Sequence, residues 1–225
     1  EESASLYRSF GDRRGLALAL LRMGFASGPA SEAGKAWLAE ALEVAGESAD
    51  KWVLATARLV VGQAALFRGD YGAARLYLER SVPLMREAGD LLVLPRVLST
   101  LGNLHLGMGE MDRARERLDE GVRLVRQTGD PRAIALVVGT LGDVARWEGG
   151  YACAAPAYAE RLELYRRLGN RTDIPSLLHN LAYVAAGQGD RTQAERLMRE
   201  SLLAQQELGN LPGVAEGLAG LGALE

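Results

Sequence analysis

Histidine and cysteine, the residues on which most metal and nucleophile sites are built, are nearly absent from this chain. Two histidines, His105 and His179, and one cysteine, Cys153, are all it has. A single cysteine forms no intramolecular disulfide, which fits a reducing compartment. Two histidines in separate segments make no metal cluster. Lysine is scarce too, with only Lys35 and Lys51 against many arginines. The formal net charge is −3, so no strongly basic face is expected and no direct nucleic-acid binding through phosphates. An apolar run of about 18 residues is missing, so no membrane span is expected. The opening Glu1-Glu2-Ser3-Ala4-Ser5 has neither the basic start nor the apolar stretch of a signal peptide, and a cytoplasmic location is expected. The phosphate-binding pattern G-x-x-x-x-G-K-[ST] does not occur, and no cofactor is expected. With so few catalytic side chains in reach of one another, an enzyme is not expected.

What the chain has is a period. Asp50, Asp90, Asp130, Asn170 and Asn210 stand 40 residues apart, and Asp12 precedes Asp50 by 38. Gly69, Gly109, Gly149 and Gly189 repeat at the same step of 40. A fixed period of about 20–50 residues marks an array of stacked supersecondary units, and with 48% hydrophobic residues there is ample material for its core. Within one unit the apolar spacing is helical: Leu94, Leu98, Leu101 and His105 before Gly109, then Ala114, Leu118, Val122, Leu124 and Val125 before Gly129. Each unit therefore reads as two antiparallel helices. The pairs Gly89-Asp90, Gly129-Asp130, Gly169-Asn170 and Gly209-Asn210 read as a helix stop followed by an N-cap. The predicted units are 12–49, 50–89, 90–129, 130–169 and 170–209, with partial units 1–11 and 210–225, in a single array over 1–225. Because it opens and closes mid-unit and does not start with Met, the chain is expected to be part of a larger protein.

Gly24, Gly62, Gly102, Gly142, Ala182 and Gly222 share one column of the repeat. Glycine inside a helix costs about 1 kcal/mol relative to alanine, so the column predicts close approach between paired helices. Pro95 and Pro175 lie five residues past their caps, which predicts a late helix start there. Pro83, deep in a second helix, is expected to kink it.

Three of the units carry a family signature. The tetratricopeptide pattern is W-x2-L-G-x2-Y followed by A-x3-F. Here it appears as Leu98-x2-Leu101-Gly102-x2-His105 with Ala114-x3-Leu118. It recurs as Val138, Leu141-Gly142 and Ala145 with Ala154 and Tyr158, and as Leu178, Leu181-Ala182 and Ala185 with Ala194 and Met198. The chain resembles a tetratricopeptide-repeat protein over its whole length, with aliphatics at the signature Trp and a period of 40 where the pattern has 34. The resemblance implies an all-α, right-handed α-solenoid of antiparallel helix pairs. Segments such as Leu6-Tyr7-Arg8-Ser9-Phe10-Gly11-Asp12 and Leu164-Tyr165-Arg166-Arg167-Leu168-Gly169-Asn170 look like the C-terminal helical arrays of large bacterial signalling ATPases and transcription regulators. That implies a sensor or regulatory region whose nucleotide-binding domain lies elsewhere.

The resemblance also implies that the first helices line a concave surface. Candidate residues on their non-core face are Gln63 and Phe67, then Arg96, Thr100 and Asn103, then Thr140, Asp143, Arg146 and Trp147, then His179, Asn180 and Tyr183. Side-chain amides there suit the backbone of an extended peptide, and Phe67, Trp147 and Tyr183 suit the role of anchors. The expected partner is a protein or peptide. An ordinary solvated helix face is the alternative reading of the same columns. A second functional reading is a scaffold that self-associates through exposed repeat ends or holds other domains of the parent chain inactive. His105 falls in the core column and is expected to be packed. For His179 no carboxylate partner follows from the spacing, and Cys153 falls in a variable outer column.

Overall fold

The computed structural model describes residues 2–224; Glu1 and Glu225, in the two partial units, lie outside the described residues. The described chain is helical throughout, without a strand. It packs as two compact units, residues 1–117 and 118–225.

The first unit contains α1 (Glu2–Phe10), α2 (Arg13–Ala26), α3 (Glu32–Gly46), α4 (Lys51–Phe67), α5 (Tyr71–Ala88) and α6 (Val93–Gly107). Helix α7 (Met111–Thr128) carries the boundary. The second unit continues with α8 (Pro131–Trp147), α9 (Tyr151–Leu168), α10 (Ile174–Gly187), α11 (Arg191–Glu207) and α12 (Leu211–Leu224). Successive helices pair as expected: α2 with α3 and α4 with α5 in the first unit, α8 with α9 and α10 with α11 in the second. First helices also touch the next first helix, α2 against α4 and α4 against α6.

At Asp50 and Asp130 the punctuation acts as the sequence predicts, whereas α10 has Asp173 and not Asn170 at its N-cap position. Asp50 accepts from the N–H groups of Trp52 and Val53 at 3.0 and 3.2 Å, and Asp130 from those of Arg132 and Ala133 at 2.8 and 3.0 Å. Gly69, Gly109, Gly149 and Gly189 have φ between +73° and +82°, a region glycine enters without a Cβ penalty. The proline expectation also holds. Helices α4 and α8 begin one residue after their caps, whereas α6 begins at Val93, three after Asp90, and α10 at Ile174, four after Asn170. Helix α5 runs through Pro83 without interruption.

Asp50 and Asp90 are held from the preceding repeat as well. The Trp52 indole donates to Asp90 Oδ2 at 2.6 Å, and Arg14 pairs with Asp50 while lying 5.0 Å over the Trp52 ring. On the second helices, Arg126–Glu160 at 3.1 Å and Arg166–Glu200 at 2.7 Å repeat one ion pair at the period of the array. These pairs are half-exposed, and such pairs contribute at most about 1 kcal/mol each.

The core lies between paired helices. Second-helix residues enter at fixed positions, Ala74, Leu78, Ser81 and Met85 in α5 and Ala194, Met198, Ser201 and Gln205 in α11. In α7 the buried positions are Ala114, Leu118, Gly121 and Val125; Val122 and Leu124, expected in the core, are only half-buried, because the i, i+4, i+7, i+11 stripe passes through Gly121. A β-carbon added at Gly62 would lie 2.7 Å from Leu78 Cγ, one at Gly24 2.6 Å from Leu38 Cγ, and one at Gly142 2.9 Å from the Tyr158 ring. The close approach is therefore real in these pairs. Gly222 departs from it, with nothing within 4 Å among the described residues.

His105 is buried as expected, but it is not merely packed. Its Nδ1 lies 2.7 Å from Glu110 Oε2, and Arg75 donates to the same oxygen at 2.7 Å. The bonds from Arg75 and His105 pull the Glu110 carboxyl down from 4.5 to about 2. Its folded-state value is thus depressed, so the stabilisation is present above pH 4.5 and is lost as pH falls towards 2. In acid denaturation the parent chain should lose thermal midpoint across that window, and Glu110→Gln should show a lower midpoint at neutral pH with a shallower further fall; parallel curves would refute the role. For the helix seam, Gly62→Ala should destabilise by about 1–2 kcal/mol, since overpacking outweighs the gain in helix propensity. Urea unfolding of Gly62→Ala, Leu78→Ala and the double variant should give a double-variant loss smaller than the sum of the two.

Candidate functional site

An α-helix that buries one stripe against its partner leaves the opposite stripe free. On the first helices that stripe has three positions, at i, i+4 and i+7. In the first unit they form three columns: Leu18, Thr56 and Arg96; Arg22, Val60 and Thr100; Phe25, Gln63 and Asn103. In the second unit the same positions hold Leu136 and Ser176, Thr140 and Asn180, Asp143 and Tyr183.

The middle column corrects one expectation. Thr100 and Thr140, placed on the open face by the sequence, are 7% and 4% exposed. In the first unit α4 and α6 pack along this line, and in both units the hydroxyl turns back to the carbonyl four residues earlier, Thr100 to Arg96 at 2.9 Å and Thr140 to Leu136 at 3.1 Å. Thr100 also accepts from Gln63 Nε2 at 3.2 Å, which ties α4 to α6. Neither threonine is open to a ligand.

In the first unit Asn103 is exposed and Phe67, at the end of α4, is 75% exposed. Gln63 and Arg96 are half-buried and line a cleft of about 370 Å³ with Leu18, Arg22, Thr56 and Val60. Arg96 Nε and Thr56 Oγ1 are enclosed without a hydrogen-bond partner. Burial lowers the affinity of Arg96 for its proton, and the Asp90 carboxylate offsets this in part.

In the second unit the predicted residues gather around one aromatic cluster. The Tyr158 hydroxyl donates to Asp143 Oδ1 at 2.6 Å and accepts from Arg146 Nε at 3.2 Å. The Arg146 guanidinium lies 5.4 Å from the Trp147 ring centre and 5.5 Å from that of Tyr183, within cation–π range. Tyr183 also meets Tyr151 edge-on at 6.3 Å. Trp147 and Tyr183 remain 64% and 51% exposed. Asn180 is half-buried and shares a small cavity of about 150 Å³ with Asp143, Arg161, Asp173 and Ser176. His179 Nε2 lies 4.0 Å from Glu216 in α12, a carboxylate neighbour that the spacing did not supply. Cys153 is exposed.

Sequence reasoning missed Leu21 of the first-unit cleft and the three α2 residues of its columns, Leu18, Arg22 and Phe25. The columns extend back to them only when the first step is taken as 38. It also missed Arg161, which occupies a second-helix position held elsewhere by Ala41, Ser81, Gly121 and Ser201. Room for it comes from Gly139, where a β-carbon would collide with the Arg161 side chain. Arg161 stacks on Tyr165 at 5.0 Å and bonds its hydroxyl at 2.9 Å. An arginine opposite a glycine is a detectable signal, but only once the helix pairing is known.

Burial, reinforced by the bond to Asp143, keeps the Tyr158 phenol neutral well above the ordinary tyrosine range, with Arg146 acting in opposition. Its neutral form favours the fold, and that contribution is lost only as pH rises through the elevated folded value. Ultraviolet titration of the folded chain to about pH 11 should therefore show the same phenolate amplitude for Tyr158→Phe as for the parent; a smaller amplitude in the variant would refute the assignment. Thr56→Val removes an unsatisfied buried hydroxyl at constant shape and should raise stability by about 1 kcal/mol in urea unfolding.

Among the described residues no helix is long and apolar enough to cross a membrane, and no three metal-ligating side chains converge. No curated protein matches the chain. Solved structures do. BtubC (BKLC) from P. vanneervenii superposes with a TM-score of 0.73 at 20% identity, over 92% of this chain and 83% of that one. The Signal Transduction ATPase with Numerous Domains protein with a tetratricopeptide repeat sensor, from Pyrococcus horikoshii, gives 0.80 at 15% identity over 97% of this chain and 33% of its own. A Rap protein complexed with competence and sporulation factor gives 0.63 at 10% identity, over 94% and 62%. At these identities the likeness is one of fold, and the chain spans less than two thirds of the latter two proteins. The family model for anaphase-promoting complex subunit 5 matches twice in succession, over residues 2–63 and 60–141. Matched over more than half its length, the chain belongs to the anaphase-promoting complex subunit 5 family of tetratricopeptide-like repeats.

Proposed function

We propose that the chain is a protein- or peptide-binding module and that its first-helix face is the binding surface. The observation that carries this reading is the exposure of large aromatics on that face. Phe67, Trp147 and Tyr183 are each more than half exposed beside polar groups that packing leaves free, such as Asn103. Exposed aromatics flanked by polar side chains are the composition of interaction hot spots. We further propose that the module is the sensor or regulatory region of a larger cytoplasmic bacterial signalling or transcription-regulating protein, with its units acting as one continuous array. Its likeness to a signalling ATPase with a tetratricopeptide sensor, and to a Rap protein bound to a factor, supports that role.

The test is a selection of binders from a displayed library of random peptides, followed by titration calorimetry. Phe67→Ala and Asn103→Ala, or Trp147→Ala and Tyr183→Ala, should weaken selected peptides by about tenfold or more while circular dichroism stays unchanged. Selected peptides indifferent to all four substitutions would sink the assignment.

One observation favours a second reading, self-association. Helix α12 leaves Leu211 and Leu218 77% and 56% exposed, an apolar face that a second copy would cover. Concentration-dependent sedimentation abolished by Leu211→Glu with Leu218→Glu would establish it, and a monomer at all concentrations would dismiss it.

A further inference from the structure

We infer that the first-unit cleft between α2, α4 and α6 is a subsite for an acidic side chain of a peptide, a carboxylate followed by an apolar residue. This rests on the proposed role of the first-helix face as a binding surface, and it names the chemistry that one part of that face selects.

The case starts from how arginines are used in this chain. Several on the outer faces have carboxylate partners: Arg8 with Glu40, Arg14 with Asp50, Arg75 with Glu110, Arg126 with Glu160 and Arg166 with Glu200. The two arginines of the cleft do not. Among the described residues Arg22 has neither an ion pair nor a hydrogen bond, and Arg96 has no bonded partner, only the field of Asp90. No carboxylate lines the cleft. Two guanidinium groups thus face one cavity of about 370 Å³ with no carboxylate bonded to either, and Arg96 is partly stripped of water. An uncompensated, desolvated cation is costly, and an incoming carboxylate would relieve it through charge-assisted hydrogen bonds.

A second observation points the same way. Thr56 is 93% buried by its 7% exposure, and its hydroxyl lines the cleft with no partner. The equivalent hydroxyls of the next column, Thr100 and Thr140, satisfy themselves on their own helices; that of Thr56 remains able to donate to an anion. Leu18, Leu21, Phe25 and Val60 form an apolar wall, which suits an apolar neighbour of the acidic group. The size falls within the range of about 300–1,000 Å³ usual for ligand sites. A peptide fits better than a free anion because the cleft lies on the same face as Asn103 and Phe67, which can hold further backbone and side chains.

The test uses the whole chain and two fluorescein-labelled hexapeptides, one alternating leucine and glutamate, the other leucine and glutamine. Fluorescence anisotropy at low salt should give about tenfold tighter binding of the glutamate peptide. Arg22→Gln and Arg96→Gln should each remove most of that preference, while Arg58→Gln, outside the cleft, should leave it. Arg22 is exposed, so its variant reports even where Arg96→Gln fails to fold. Equal binding of the two peptides overturns the inference; if that binding still falls on Phe67→Ala or Asn103→Ala, the broader peptide-face reading survives. A preference untouched by both cleft substitutions also overturns it. Displacement of the glutamate peptide by inorganic phosphate, with no preference over the glutamine peptide, overturns it in favour of a small-anion site. Failure of both peptides to bind overturns it too, and the display selection then decides the broader reading by itself.

Discussion

Paired helices in this chain touch where one of them has almost no side chain. At Gly24, Gly62 and Gly142 the facing residue, Leu38, Leu78 or Tyr158, occupies the space a β-carbon would need. The intrinsic cost of glycine in a helix is offset by the dispersion and burial gained when backbones come this close. Everything else is arranged around that seam. It fixes which stripe of each second helix is buried and leaves the opposite stripe of each first helix without a partner from its own pair. Where the seam receives Tyr158 in place of an aliphatic, the buried hydroxyl must be satisfied, and Asp143 and Arg146 supply the bonds. A packing substitution thereby reaches the candidate binding face, because Arg146 in turn lies against Trp147 and Tyr183.

The caps contribute rigidity of a different kind. Asp90 closes the start of one repeat while accepting from Trp52 of the repeat before it. One carboxylate thus couples local helix initiation to stacking between units. In a repeat array, where each unit contacts only its neighbours, such couplings carry cooperativity from one repeat to the next. Glu110 works similarly, gathering Arg75, His105 and Arg113, so the lone buried histidine is explained by structure alone.

The two units share one architecture and present different chemistry. The first offers a cleft with two arginines that no carboxylate bonds and an apolar wall. The second offers a cation–aromatic cluster next to a small polar cavity containing Asp143 and Asp173. Face positions can diverge in this way because the seam constrains only the opposite stripe. A face that varies on a constant scaffold is the expected design of a binding array, and it underlies the proposals made for both units.

The period, the helix pairing, the late starts at Pro95 and Pro175 and the positive-φ glycines were all readable from sequence. Each depends on local backbone chemistry: left-handed conformations that favour glycine, N–H groups that need an acceptor, a ring that blocks a helical bond. The buried state of His105 followed from its column as well. What depended on the distance between helices was not readable. Thr100 belongs to the exposed stripe of an isolated helix, and the lateral packing of α4 on α6 buries it. Arg22 belongs to the cleft only because α2, α4 and α6 stand side by side across a step of 38. Arg161 fits only because Gly139 faces it. The sequence by itself determined where helices start, stop and bury their core stripe, since those are properties of one helix. Tertiary structure alone decided which polar side chains are spent on packing and which stay free to bind, since that is settled by what the neighbouring helix leaves uncovered.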